Sequence, residues 1–568
     1  MGLLRLVALL PMKQRRRRRR RTSADESTAS EPKIKGSPWI HSVNSGGAKR
    51  KRSHLTLDRL PQDVLQKILA LLPMQDAARA ACVSRELLQS WRYYPELEFS
   101  TKTLDLDEHH TRIQGQLATD VTSRIDCVLQ NRAGFWVKRL KFQLQFFLEV
   151  QNCYIDRWLD AVNPGIEEFT LELPWDGRMK YNFPCRIFFH ENGCSIQSFC
   201  LYACAFHPEQ RSYAFRSLKR VHFSWVHTTT EELQFFLSNS LALEHLELWH
   251  CHYIATLKIP CALQLFNFLR VVRCNMLQMI ESDAANLSTF HYEGPIIQFS
   301  IVESLQLKDV SISIYPWLNL FDDARAKLPT FAPNLETLFL MSADETGAFY
   351  ELSNLVPGKF FHLKQLELAI VGPRTEIFFD YEFLSLVPFL NSSPALETFI
   401  LHVEETAVQH SHLVIDPSKL TKIPRHRHEN IKHVTITGFC PTRKLMELIF
   451  YILENAVSLK SLTLDNRIRG FEKDLLVRVS QDTGTRDFEE WQNIFGDNEE
   501  FLQHTRRAHP NPYWEPYLSH IAITKYILGR VPSYVELKLL GTPPDEIVSS
   551  ISAWERRLGI VNCPQSVL

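Results

Sequence analysis

Apolar residues recur along this chain in two rhythms, and each rhythm predicts a different element. Between residues 55 and 98 the rhythm is helical: Leu60, Val64, Leu65, Ile68, Leu69 and Leu72 fall on one broad face. Pro61 suits a first helical position, where its missing N–H would have no partner anyway, and Asp63 then lies in the first turn, at the positive end of the helix dipole. Pro73 stops the helix, because the residue before a proline avoids the α region. Asp76 is placed to cap a second helix over Ala77–Val83, and Ser84 a third that carries Leu87, Leu88 and Trp91. Three short helices in about 40 residues bury too little surface to stand alone, and their apolar face is too wide for so small a bundle. A partner is expected to cover it.

From about residue 135 the rhythm changes to triads at i, i+3 and i+5. The clearest are Leu243-Leu246-Leu248, Leu335-Leu338-Leu340, Leu363-Leu366-Leu368, Leu396-Phe399-Leu401, Ile431-Val434-Ile436 and Leu459-Leu462-Leu464. Weaker ones are Val137-Leu140-Phe142, Ile166-Phe169-Leu171, Ile196-Phe199-Leu201 and Leu218-Val221-Phe223. This is the strand segment of a leucine-rich repeat, at a spacing of about 25 to 35 residues. Each unit is predicted to lay one strand with its triad inward and to return through a helix or an irregular arc. Stacked neighbours then share a core and form a parallel sheet on the concave side of a curved solenoid. Glu244, His245, Glu247, Glu336, Thr337, Lys364, Gln365 and Glu367, at or beside the positions between triads, are predicted to line that concave surface and meet a target. Thr228–Ser238, with acids in its first turn, and Lys444–Asn455 read as helical returns.

The expected fold class is therefore α/β. Its segments are a basic tail (1–54), a helical module (55–98), a connection (99–134), repeats (135–420), final repeats (421–470) and a C-terminal cap (471–568). The tail has few large apolar residues and is expected to be disordered. Its clusters Arg15–Arg21 and Lys49–Arg52 suit nuclear import, contact with acidic polymers, or simple solvation, so the nucleus, the cytoplasm or both are expected. Lys and Arg (64) balance Asp and Glu (64), which argues against nucleic acid as the ligand of the folded part. The opening MGLLRLVALL precedes its arginines, the wrong order for a secretory signal, and no apolar run suffices to span a membrane. The 12 cysteines form no C-x-x-C pair and read as reduced intracellular thiols.

Candidate chemistry adds little. Trp249-His250-Cys251-His252 lacks a second pair at zinc spacing, and Arg425-His426-Arg427-His428 reads as a solvated loop, with anion binding its rival. There is no phosphate loop, G-x-S-x-G or H-E-x-x-H, so neither an intrinsic catalytic site nor a cofactor or metal is expected.

Two resemblances then give the pattern a meaning. The Leu60-Pro61 opening, Asp63, the Val83-Ser84-Arg85 segment and the closing Trp91 closely resemble the F-box. In that family the module binds the Skp1-type adaptor of a cullin-RING ubiquitin ligase. The resemblance implies adaptor contacts at Leu60, Pro61, Val64, Leu65, Ile68, Leu69 and Leu72. Residues 431–465, with Ile436-Thr437-Gly438-Phe439 and the helix from Tyr451 to Ala456, look like the FBD segment of plant F-box/LRR proteins. Together they imply a substrate-recognition subunit of an SCF-type ligase whose repeats hold a target protein. A non-ligase repeat scaffold, a ligand-sensing receptor of the same ligase class, and a nucleic-acid-associated protein remain open alternatives.

Overall fold

The computed structural model describes residues 60–466 and 522–540, apart from stretches at 105, 107–113, 133–136, 146–149, 162–164, 176–180, 189–194, 209–214, 302–303, 315–319, 344–357, 372–380, 405–423 and 440. The expected tail with its basic clusters, and most of the expected cap, lie outside the described residues. The chain divides into two units. One runs to Thr228 and includes residues 239–243; the other comprises Thr229–Ser238 and the chain from Glu244 onward.

The first unit opens with α1 (Gln62–Ala70), α2 (Met74–Ala81) and α3 (Arg85–Trp91). Pro61 stands just outside α1 at the N-cap position, and Asp63 is in its first turn. α2 begins at Met74 rather than Ala77, because Pro73 itself occupies the N-cap; Asp76 instead pairs with Arg79 at 2.9 Å. Ser84 does cap α3, its Oγ accepting the Leu87 N–H at 3.2 Å. Leu65, Leu69, Met74, Ala77, Ala81, Leu87 and Trp91 fill the space between the helices. Tyr94 then stacks on Trp91 with centroids 5.0 Å apart and donates its hydroxyl to the Leu72 carbonyl at 2.7 Å, closing the exposed end of α1.

This bundle runs straight into the sheet. β1 (Glu96–Phe99) follows Tyr94, and the Glu98 N–H meets the Met74 Sδ at 3.2 Å. The stretch expected as a mere connection carries β1's last residue and α4 (Gln114–Gln130). Next come β2 (Arg139–Gln143), α5 (Asn152–Asp160), β3 (Glu168–Glu172), α6 (Cys185–Phe188), β4 (Ser198–Tyr202) and β5 (Arg220–Ser224), with the five strands parallel and in sequence order. Their register stacks Leu97, Leu140, Phe169, Phe199 and Val221 in one row, and Phe99, Phe142, Leu171, Leu201 and Phe223 in the next. The i+3 and i+5 positions of each triad thus build continuous ladders of buried side chains, and α5 packs on them with Trp158 5.7 Å from Phe142.

The second unit begins with α7 (Thr230–Ser238), whose capping box is complete. The Glu232 N–H donates to Thr229 Oγ1 at 3.3 Å, and the Thr229 N–H donates to Glu232 Oε2 at 2.9 Å. Strands then alternate: β6 (His245–Trp249), β7 (Thr256–Ile259), β8 (Phe268–Val272), β9 (Met279–Ser282), β10 (Thr289–Gly294), β11 (Gln298–Ile301) and β12 (Asp309–Ile314). α8 (Leu320–Phe331), β13 (Thr337–Ala343), β14 (Gln365–Val371), α9 (Val387–Asn391), β15 (Thr398–Glu404), β16 (His433–Thr437), α10 (Arg443–Asn455), β17 (Ser461–Asp465) and β18 (Glu536–Leu540) complete the unit. One parallel sheet runs β6-β8-β10-β12-β13-β14-β15-β16-β17-β18, and β7, β9 and β11 form a second. Leu246, Leu269, Phe290, Val310, Leu338, Leu366, Phe399, Val434, Leu462 and Leu537 make the core row of the first sheet.

The second sheet departs from the expected helical or irregular returns. Between β6 and β12 the chain comes back as strands. An extended residue advances about 3.3 Å and a helical one about 1.5 Å, so a short return spans the same core only if extended. At the far end β18 pairs with β17 and occupies its edge, and Arg530 lies 4.4 Å over the Phe450 ring on α10. The expected cap is in this respect a further repeat strand.

Two positions in the last repeats carry predictions. Gly438 follows β16 at φ +65°, and a Cβ there would sit 1.8 Å from the Val403 carbonyl oxygen. Gly438→Ala should therefore cost at least about 1–2 kcal/mol from the left-handed backbone alone, plus a forced shift of the Val403 backbone. Urea unfolding checks it, and an unchanged midpoint would refute it. His428, expected in a solvated loop, is instead buried, with Nε2 3.1 Å from the Tyr451 hydroxyl. Burial, with His426 adjacent, holds its pKa down to about 4. The folded chain keeps this ring neutral where the unfolded chain protonates it. Stability is thus full above about pH 6.5 and falls as pH drops through 6.5 toward 4. His428→Gln should flatten the decline in melting temperature over that window; an unaltered slope would show that other groups control it.

Candidate functional site

α1 carries two apolar stripes rather than one. Leu65, Leu69 and Leu72 lie at i, i+4 and i+7, and so do Val64, Ile68 and Leu71, one position round the helix. The first stripe faces α2 and α3, with Leu65 and Leu69 each 1% exposed and Leu72 half-buried. The second faces outward, with Val64 half-buried, Ile68 37% exposed and Leu71 86% exposed. Of the residues assigned to adaptor contact, Leu60 is half-buried and Pro61 exposed, both beside the outer stripe. Leu65 and Leu69 must be corrected, since the bundle's own core occupies them and leaves no surface for a second chain. Sequence reasoning missed Leu71, although counting on from Val64 and Ile68 finds it. It also missed Val83, which is 78% exposed in the turn between α2 and α3.

In the second unit the side chains that point away from the core row form a mixed face, polar along much of its length with an apolar cluster of Phe339, Met341 and Ala369. Most residues expected to meet a target lie on or beside it, and several are already engaged. Glu336 takes Lys308 at 3.1 Å and Lys364 at 2.6 Å, just before β13 and β14. These contacts hold its carboxyl below the usual range and Lys364 above its own. All three are open to water, so the ladder sets register more than it stabilises. Glu244, Thr337 and Gln365 are half-buried, and the last two are register partners.

Glu247 and Glu367 are the second correction, being only 2% and 3% exposed. Glu247 Oε1 lies 2.7 Å from His245 Nε2, and its Oε2 accepts from Trp249 Nε1 at 3.1 Å. Glu367 Oε1 meets His402 Nε2 at 2.9 Å, and His402 Nδ1 lies 2.7 Å from Thr437 Oγ1. A buried carboxylate has to be partnered, and these two are partnered by neighbours on the same face rather than by a target. His245 is half-buried and stacks on Phe268 at 3.8 Å. Among the described residues no three His, Cys, Asp or Glu side chains converge as metal ligands.

The comparisons with known proteins agree with this layout. Residues 57–97 match the model of the F-box domain, and residues 128–543 match the model described as At1g61320/AtMIF1, LRR domain. The F-box/FBD/LRR-repeat protein At1g13570 of Arabidopsis thaliana is 23% identical over 427 residues, covering 72% of this chain and 90% of its own length. F-box domains generally bind Skp1 in SCF complexes, and F-box/LRR proteins are generally non-catalytic adaptors. The repeat model spans most of the sequence, behind an F-box at its front. This chain accordingly belongs to the At1g61320/AtMIF1 LRR-domain family and is a plant F-box/LRR protein.

Proposed function

We propose that this chain is the substrate-recognition subunit of an SCF-type ubiquitin ligase, joining a Skp1-type adaptor through its F-box to a target protein held by the repeats. The observation that carries the reading is the outer stripe of α1. The bundle satisfies its own core with Leu65 and Leu69, yet leaves Ile68 and Leu71, and Val83 in the turn between α2 and α3, in water. Fully burying an aliphatic side chain of this size is worth about 1.5–3 kcal/mol, which gives a partner helix a reason to settle there. Ubiquitin transfer belongs to other subunits. The contribution here is proximity, because a tethered target meets the charged enzyme at a raised effective concentration.

Size-exclusion chromatography of the full-length chain with a purified Skp1-type adaptor tests this. A 1:1 complex at micromolar concentrations is expected, and its addition to cullin and RING subunits should support ubiquitin transfer to a bound protein. Separate elution of the two chains would overturn the reading.

A further inference from the structure

On the polar face of the second unit two enclosed atoms have no hydrogen-bond partner among the described residues. Arg270 on β8 is 6% exposed, and its Nη1 is unpartnered; Ser313 on β12 is 1% exposed, and its Oγ is unpartnered. β10 lies between these strands. The guanidinium leans toward it, because Arg270 Nη2 lies 2.9 Å from His291 Nδ1. Ser313 is the register partner of Glu293 on that same middle strand. Arg270 is the register partner of His291, two residues before Glu293. The two backbones therefore stand two strands and two residues apart, roughly 12 Å, a gap that a long arginine side chain reaching across can narrow to the length of one inserted group.

The charge around them is already balanced. The carboxylate of Glu247 is taken by His245 and Trp249, and that of Glu293 by Arg273 Nε at 2.7 Å. Two buried carboxylates thus face two guanidiniums, Arg270 and Arg273. An incoming anion would leave the enclosed set with excess negative charge, whereas an uncharged group would not. Arg270 Nη1 can only donate, and Ser313 Oγ can accept. A primary carboxamide offers a carbonyl to the first and an N–H to the second.

We propose that Arg270 and Ser313 form a recognition site for the side-chain carboxamide of an asparagine or glutamine on the target protein. The proposal rests on the substrate-recognition reading above and names one feature of the substrate. In the unbound chain the unmatched guanidinium N–H is unfavourable, and a methionine of similar length would avoid that cost. The half-buried Phe268 ring lies beside the guanidinium, its centroid 5.6 Å from Arg270 Cζ.

A cellulose-bound array of decapeptides tests this. Each pool is random except for one fixed residue, all twenty being used in turn, and the array is probed with the labelled full-length chain. Pools with fixed Asn or Gln should retain the wild type best. Arg270→Met should lose about tenfold of that signal, since a site built around a hydrogen bond discriminates strongly when the bond is removed. Ser313→Ala, which only deletes a hydroxyl, should lose a smaller part and serves if Arg270→Met misfolds. Equal retention of the Asn and Gln pools by both variants overturns the site, as does the absence of any preferred pool. Preference for Asp and Glu pools overturns the carboxamide and assigns a carboxylate instead. Adaptor binding is measured on the same preparations. Its loss would sink the ligase reading while leaving the array result to stand or fall separately.

Discussion

Leu71→Asp is expected to abolish capture of a Skp1-type adaptor by the full-length chain while leaving its thermal unfolding almost unchanged. Leu71 follows α1 and is 86% exposed, so in the free chain an aspartate there meets water and disturbs no packing. Surface changes of this kind usually stay within about 0.5 kcal/mol. In the complex the same carboxylate is caught in an apolar contact with no cation beside it. A desolvation cost of about 3 kcal/mol or more is expected, equivalent to at least a hundredfold weaker binding. Val83→Asp, at a second exposed position, should act in the same way. Leu65→Asp also ends binding, but by another route: Leu65 is 1% exposed, and a charge there melts the bundle. Titration calorimetry and circular dichroism on the three variants separate the two routes. Undiminished binding by Leu71→Asp would mean that the adaptor sits elsewhere, and the two-stripe account of α1 would fall.

The helical bundle and the sheets were legible because each rests on a spacing that buries its own residues. A triad at i, i+3 and i+5 puts alternate strand residues on one face. Parallel register then stacks them, as in the rows running from Leu97 to Val221 and from Leu246 to Leu537. β8, β10 and β12 obey the same spacing in Phe266-Leu269-Val271, Leu287-Phe290-Tyr292 and Leu307-Val310-Ile312. They escaped notice because aromatic and β-branched residues replace leucine there. The extended returns could not be read, since Ile254-Leu257-Ile259 repeats the strand signal where a helix or an irregular arc was expected. The site was harder still. On a strand, a glutamate between two leucines signals a side chain pointing away from the core. Whether it reaches water depends on what neighbouring strands place beside it, and that is a three-dimensional fact. His402 encloses Glu367 from the neighbouring strand β15, a position that β14's own sequence does not reveal, whereas His245 and Trp249 close on Glu247 from its own strand, two residues to either side. The two stripes of α1 differ by a single step around the helix. Only the packing of α2 and α3 decides which is inside.

Phe199→Ala should lower the stability of the first unit by about 3–5 kcal/mol. Phe199 is fully buried in the i+3 row, where its ring lies 5.3 Å from Phe183, 5.8 Å from Phe169, 5.9 Å from Phe206 and 6.0 Å from Phe223. These neighbours belong to the strands on both sides and to the segments behind them, so the cavity opens in the middle of the stack instead of at an end where it could collapse. In a repeat array each strand is stabilised mainly by its neighbours. Loss at β4 therefore weakens its junctions with β3 and β5 together. Phe199→Leu, which keeps most of the volume, should cost far less. The Trp175–Trp225 pair, with centroids 4.5 Å apart in the same unit, supplies a local reporter in near-ultraviolet circular dichroism. In urea its signal should disappear at clearly lower concentration for Phe199→Ala than for the wild type. A shift no larger than that of Phe199→Leu would mean that the aromatic column relaxes into the gap, and that the first unit is held by its backbone ladder more than by these rings.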